Sequence, residues 1–209
     1  FISINPVRTG YSAIADEWVP IRPGTDGALM LALIHEIIAL GLYDREFLVR
    51  YTNSGQLVNL DDKHDEFGMF VRTEVAKEEG CYDPQNKLWW DRNTNKAVIT
   101  HSEGADPYLL GEFALPDGTA VKPAFQLLQE RVQDYTPEWA EQITGISAET
   151  IRRLAHEMGI TARDQKIELP IAWTDSWGKE HDTVTGNPVA FHAMRGLAAH
   201  SNGFHTIRA

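Results

Sequence analysis

The chain has 209 residues, 43% hydrophobic and 10% aromatic, with a formal net charge of −11. That is enough apolar material for one sizeable core, or one large domain with an insertion, and it excludes a chain disordered throughout. The negative balance excludes generic nucleic-acid binding, which needs a basic surface, but leaves room for local basic pockets that take phosphate or an oxyanion.

In chain order, Phe1, Ile2 and Ile4 form a short hydrophobic run stopped by Asn5-Pro6, the pattern of a buried parallel strand opening into a loop. Val19 and Ile21 suggest a second short strand, broken at Pro23-Gly24. Thr25 or Asp26 then offers a side-chain oxygen to N-cap a helix through Leu42. Leu29, Leu31, Leu33, Ile34, Ile37, Ile38 and Leu40 make that helix apolar on nearly every side, so it is expected to be largely buried. It is the longest apolar run, yet it contains His35-Glu36 and is too short to span a bilayer, and the first residues do not show a basic n-region followed by an apolar h-region. A strand end beside a helix start, both polar, is the crevice where open α/β sheets bind nucleotides. Asp44 caps a short amphipathic helix through Tyr51, and Thr52-Asn53-Ser54-Gly55 turns the chain.

From residue 56 to 121 the pattern changes. Residues 57–60 and 96–100 read as short strands, separated by an acidic tract at 61–66 and a helical turn at 73–79. Trp89-Trp90 leads a strand into a turn at 91–95. Residues 114–120 read as a hairpin, because Asp117-Gly118 readily takes positive φ. The stretch is expected to be a surface insertion of hairpins and loops without a second core. Cys81 is the only cysteine, so neither an intrachain disulfide nor a cluster held by four local thiolates can form. Its acidic surroundings would raise a thiol pKa, not lower it.

Helical periodicity returns at 124–132. Thr136 with Pro137 opens the next helix, residues 143–147 close it, and Ser147 caps a helix at 148–158 with Ile151, Leu154 and Ala155 on one face. Residues 167–173 are expected to be a returning strand, 174–188 a polar loop and 189–200 a helix, with a break at Ser201-Asn202-Gly203. The fold class is α/β: a doubly wound, mainly parallel sheet with helices on both faces and a hairpin-rich insertion. The expected division is 1–55, 56–121 as the insertion, and 122–209. Both ends fall inside apparent elements, so the chain is expected to be an internal piece of a longer polypeptide.

Four runs carry a resemblance. They are Asn5-Pro6-Val7-Arg8-Thr9, the Ala-Asp-Glu-Trp-Val-Pro-Ile-Arg-Pro-Gly-Thr-Asp run ending at Asp26, the Gly-Leu-Tyr-Asp-Arg-Glu-Phe-Leu run from Gly41, and the run from Tyr135 to Ala155. Together they resemble molybdopterin oxidoreductases of the dimethyl sulfoxide reductase family on both sides of the insertion. The segment from Trp173 to Asp182 and that from His192 to Phe204 look most like catalytic subunits that act on inorganic sulfur compounds. These include sulfite-oxidising enzymes and polysulfide or thiosulfate reductases. One departure is Asn5-Pro6-Val7, where the family often has Asp-Pro-Arg.

The resemblance implies a bis-molybdopterin guanine dinucleotide cofactor with molybdenum, and a 4Fe-4S cluster in the full-length subunit whose ligands are not in this chain. It implies Asp26 as the guanine partner, because a carboxylate accepts from both the ring N–H and the exocyclic amine; from position alone, Thr25 and Asp26 are helix caps. Gly24 and Thr25 belong to the same binding turn. Arg8 would meet phosphates, and Asn5, beside Pro6, ribose or base edges; the alternative is a turn asparagine with a paired surface arginine. His200, Asn202 and Gly203 are expected on the pterin side, with the bare backbone at Gly203 admitting a ligand. Arg208 would hold a small oxyanion substrate, or else serve as a structural arginine.

No metal ligands are expected. His181, His192, His200 and His205, near Asp175 and Asp182, lack the spacing of a zinc helix, and His64 with Asp61, Asp62 and Asp65 lacks a calcium loop's glycine and terminal glutamate. Trp89, Trp90, Trp173 and Trp177 line a pocket or simply pack. Ser176 lacks a nucleophile elbow and no Walker-type loop occurs. The expected function is therefore part of a molybdenum oxidoreductase, with sulfite oxidised to sulfate preferred and other sulfur compounds next. Its partners would be the rest of its polypeptide, an iron–sulfur electron-transfer subunit and a membrane anchor subunit, with a small inorganic substrate and no nucleic acid. The cytoplasmic face of a bacterial membrane is preferred to the periplasmic one, and the chain alone is expected to be inactive. The other class is a stand-alone nucleotide-binding or structural α/β module.

Overall fold

A computed structural model describes residues 1–73, 86–176, 178–193 and 195–208. The helical turn expected at 73–79 falls outside these from residue 74 onward, as do Cys81, Trp177 and Ala209. The chain divides into two compact units, Phe1–Tyr43 with Val132–Ala209, and Asp44–Arg131.

The first unit opens with β1 (Ile2–Ile4) and β2 (Glu17–Val19), which pair in parallel with Ile4 opposite Val19. A 3-10 turn, Gly10–Ala13, lies in the link between them. β1 is less buried than its apolar residues predict, since Ile2 keeps 40% of its surface exposed while Val19 on β2 keeps 4%. Helix α1 (Asp26–Ala39) buries Leu29, Ala32, Leu33 and Ile38, and it ends before the expected Leu42. Its other residues are half-buried, apart from the exposed Ala39. Thr25 sits at the N-cap position without capping, because its hydroxyl donates to the Arg22 carbonyl at 2.7 Å.

The second unit starts with α2 (Arg45–Tyr51), where the Asp44 carboxylate accepts from the Phe47 amide at 3.0 Å, as its sequence predicts. Strands β3 (Leu57–Asn59), β4 (Leu88–Asp91), β5 (Lys96–Ile99), β6 (Phe113–Ala114) and β7 (Ala120–Pro123) precede α3 (Ala124–Val132). β4 and β5 form a hairpin, and β3, β7 and β6 a three-stranded sheet, all antiparallel. Asp117-Gly118 turns the β6–β7 hairpin as expected, with Gly118 at φ 90°. The unit buries Leu57, Trp89, Leu109, Val121 and Phe125.

Asp91, buried at the end of β4, accepts from the Asp106 amide at 2.8 Å and from the Thr94 amide and hydroxyl at 2.9 and 2.7 Å. The Asp106 amide first, then Thr94, hold its carboxyl below the usual carboxylate range. A carboxyl with a depressed folded pKa adds stability above its unfolded value of about 3.9 and loses it as pH falls through the folded value. Thermal scans should therefore show Asp91→Asn below the parent at neutral pH, with the gap closing as the solution becomes strongly acidic. A pH-independent gap would contradict the assignment.

Back in the first unit, α4 (Pro137–Thr144) is capped by Thr136 through the Trp139 amide at 3.2 Å, and α5 (Ala148–Asp164) by Ser147 through the Thr150 amide at 3.2 Å. Gly145 ends α4 in the left-handed conformation, φ 79°. Ser147→Ala should cost about 1 kcal/mol, the usual value of such a cap, read by thermal or urea denaturation. Ile151, Leu154 and Ala155 face Val19, Ile21, Leu29, Ala32 and Leu33 in one core. α5 runs beyond the expected residue 158, and at Gly159 a Cβ would lie 2.8 Å from the Leu42 side chain. Only glycine admits that approach.

The rest departs most from expectation. The strand expected at 167–173 is broken around Pro170, which has no N–H to give a ladder, into β8 (Ile167–Leu169) and β9 (Trp173–Thr174). The expected polar loop contains β10 (Glu180–His181) and β11 (Val184–Gly186), antiparallel to β9 and β8 respectively. The helix expected at 189–200 is reduced among the described residues to a 3-10 turn, Arg195–Ala198. Gly196 weakens helix there, and Phe191, 67% exposed, finds no core to cover. A final helix α6 (Gly203–Arg208) follows. The class is mixed α/β in several small sheets, and among the described residues β1–β2 is the one parallel pair of strands. No helix among them is long and apolar enough to cross a membrane.

Candidate functional site

The end of β1, the turn before α1 and the segment around His200 enclose a cleft of about 650 Å³, a size that admits a nucleotide-sized ligand. Its walls include Ser3, Asn5, Pro6, Gly24, Asp26 and His200, together with Tyr11, His192, Gly196 and Leu197. The strand end and the helix start expected to share a crevice do so. Asp26 is the first residue of α1, and Thr25 gives that first turn no side-chain cap. A helix start of this kind has amides and a positive dipole end to offer a ligand.

Each predicted residue has a definite place. The Asn5 side chain accepts from the Val7 amide at 3.0 Å, and its carbonyl from the Trp18 indole at 2.9 Å, so the loop after β1 is tied down while Asn5 and Pro6 border the cleft. Arg8 lies over Trp18, 5.9 Å from the ring centroid, and is not among the cleft's lining residues. Gly24 adopts φ 77°, and a Cβ there would meet the His200 ring at 3.3 Å. The Asn202 side chain donates to the Gly24 carbonyl at 3.1 Å. Residues far apart in sequence thus converge on one turn.

Gly203 and Arg208 both lie on α6. Gly203 is buried, and a Cβ there would collide with the Ala198 carbonyl, so its bare backbone serves the packing of α6 on the preceding turn. Arg208 ends α6 over Phe204, 5.6 Å from the ring centroid, and does not line the cleft. Sequence reasoning missed Tyr11 and the buried Ser3–Ser12 hydroxyl contact at 2.7 Å that joins β1 to the 3-10 turn. A polar pair nine residues apart across a loop carries no periodic signal.

The cleft joins a carboxylate, Asp26, that can accept from paired N–H donors with an aromatic ring, Tyr11. No protein-family model matches the chain. Among curated proteins, a sulfite dehydrogenase subunit of Allochromatium vinosum is 69% identical over all 209 residues. The perchlorate reductase alpha subunit of Dechloromonas aromatica is 35% identical over 79% of this chain, and dimethyl sulfoxide reductase of Escherichia coli is 33% identical over 79% of it. The chain spans 22%, 21% and 13% of the lengths of these three relatives. Identity of 69% over the whole chain with the first, and of 35% and 33% over 79% of it with the others, means that this chain belongs to the dimethyl sulfoxide reductase family of molybdopterin oxidoreductases.

Proposed function

We propose that this chain is part of the nucleotide-holding domain of a molybdenum oxidoreductase catalytic subunit that oxidises sulfite to sulfate. The observation that carries this reading is 69% identity over the full chain to a sulfite dehydrogenase subunit. The cofactor is bis-molybdopterin guanine dinucleotide, whose metal supplies the redox change as sulfite and water give sulfate, two protons and two electrons. A 4Fe-4S cluster held by residues elsewhere in the polypeptide would take up the electrons.

This chain's residues bind and orient. Asp26 accepts from the two guanine donors, and Asn5 and Pro6, which line the same cleft, meet the ribose or base edges. Arg8 is assigned to the dinucleotide phosphates, Thr25 to the turn that presents Asp26, and His200, Asn202 and Gly203 to the pterin side. Arg208 is assigned to the substrate oxyanion. In the whole subunit, β1 and β2 form the start of a doubly wound parallel sheet, and the 56–121 stretch is an insertion in it. Partners are an iron–sulfur electron-transfer subunit and a membrane anchor subunit, at the cytoplasmic face of a bacterial membrane.

The direct test is sulfite-dependent reduction of an artificial acceptor by the purified full subunit. Turnover with sulfite is expected. No turnover with sulfite, but turnover with thiosulfate, tetrathionate or polysulfide, would overturn the substrate and keep the family.

A further inference from the structure

Arg22 stands just before the turn that carries Gly24 and Asp26, and its bonds run away from the cleft. One of its terminal nitrogens donates to the Gln142 carbonyl at 2.6 Å and to the Ile143 carbonyl at 3.2 Å. Its backbone amide donates to the Thr144 carbonyl at 2.9 Å. These are successive carbonyls in the last turn of α4, where the helix leaves acceptors unmet and its dipole favours a cation. The fit is close: a Cβ on Gly145, the left-handed residue ending α4, would lie 3.4 Å from the Arg22 side chain.

The other side of Arg22 is equally engaged. Its carbonyl accepts from the Thr25 hydroxyl at 2.7 Å and the Thr25 amide at 3.3 Å. The Pro23-Gly24 pair is thereby closed into a turn whose root is clamped to α4, and Asn202 holds the same turn at the Gly24 carbonyl. Asp26 follows directly. A carboxylate that must meet two guanine donors at once gains from a turn already held in place, because less freedom is lost on binding.

We propose that Arg22 is a positioning residue for the nucleotide cleft, acting through the turn it anchors to the end of α4 and hence through Asp26. The inference rests on the reading of the cleft as a guanine-nucleotide site. Arg22 does not itself line the cleft. Its planar guanidinium fixes the one nitrogen that reaches both carbonyls, whereas a lysine ammonium is a flexible point charge on a shorter stem and does not replace it.

The test is a double-mutant cycle in the full cofactor-loaded subunit, using Asp26→Asn, Arg22→Met and both together. The readout is guanine nucleotide released by acid after gel filtration, quantified per subunit. Arg22→Met should lower retention about tenfold, equivalent to about 1.4 kcal/mol of binding. The double variant should retain no less than Asp26→Asn alone, since a residue acting through another adds nothing once that other is gone. Arg22→Lys should stay close to Arg22→Met, and it carries the cycle if the methionine variant does not fold. Parental retention in the Arg22 variants, or losses that multiply in the double variant, would overturn the proposal. If Asp26→Asn itself retains the nucleotide, the guanine reading of the cleft falls first; if only the Arg22 variants do, that reading survives without this inference.

Discussion

Asp26→Ala is expected to strip guanine nucleotide from the full subunit, lowering retention on the order of 100-fold. The carboxylate accepts two hydrogen bonds from guanine in this reading. Bonds to a charged partner are worth about 1.5–3 kcal/mol each, and every 1.4 kcal/mol is about tenfold in affinity. Alanine would also leave two guanine donors facing a wall without an acceptor. The competing role, an acidic residue complementing the start of α1, is worth about 0.3–1 kcal/mol of stability and nothing in nucleotide content. The two roles separate cleanly in measurement. Nucleotide content should collapse while the thermal midpoint moves little; unchanged content with a lowered midpoint would make Asp26 a helix-start residue only.

Ile151→Ala is expected to be the most damaging single core substitution for the first unit. The side chain is fully buried, among the core residues of α1, α4 and α5. Removing buried methylenes loses their transfer free energy and leaves a cavity that closely packed helices fill only in part, at about 2–5 kcal/mol. Against a typical total stability of about 5–15 kcal/mol, that is a large fraction. Leu128→Ala, at a position 41% exposed, is the control, with an expected effect within about 0.5 kcal/mol. Denaturant midpoints of the two variants should differ accordingly. Equal midpoints would mean that Ile151 does not hold the α1–α5 seam.

The local signals were readable because their physics spans only a few residues. Asp44, Thr136 and Ser147 each cap a helix by a bond to an amide three residues on, and Asp117-Gly118 turns a hairpin where its backbone allows positive φ. Periodicity on α5 marked Ile151, Leu154 and Ala155 as core, and all three are buried. The same reading misplaced residues 189–200, since composition favours helix there while no core surface waits to be covered. It also missed that the Thr25 hydroxyl turns back to Arg22, leaving the α1 start uncapped by side chain.

By itself the sequence determined the family, through long joint motifs, and the positions of caps, turns and the first long helix, because these depend on neighbours in the chain. Only the tertiary structure decided which distant residues share the cleft: Asn202 with Gly24, His200 over the same glycine, and Arg22 on the end of α4. The physical reason is that such contacts depend on how helices and loops pack in space. A hydrogen bond between residues more than a hundred positions apart leaves no periodic trace along the chain.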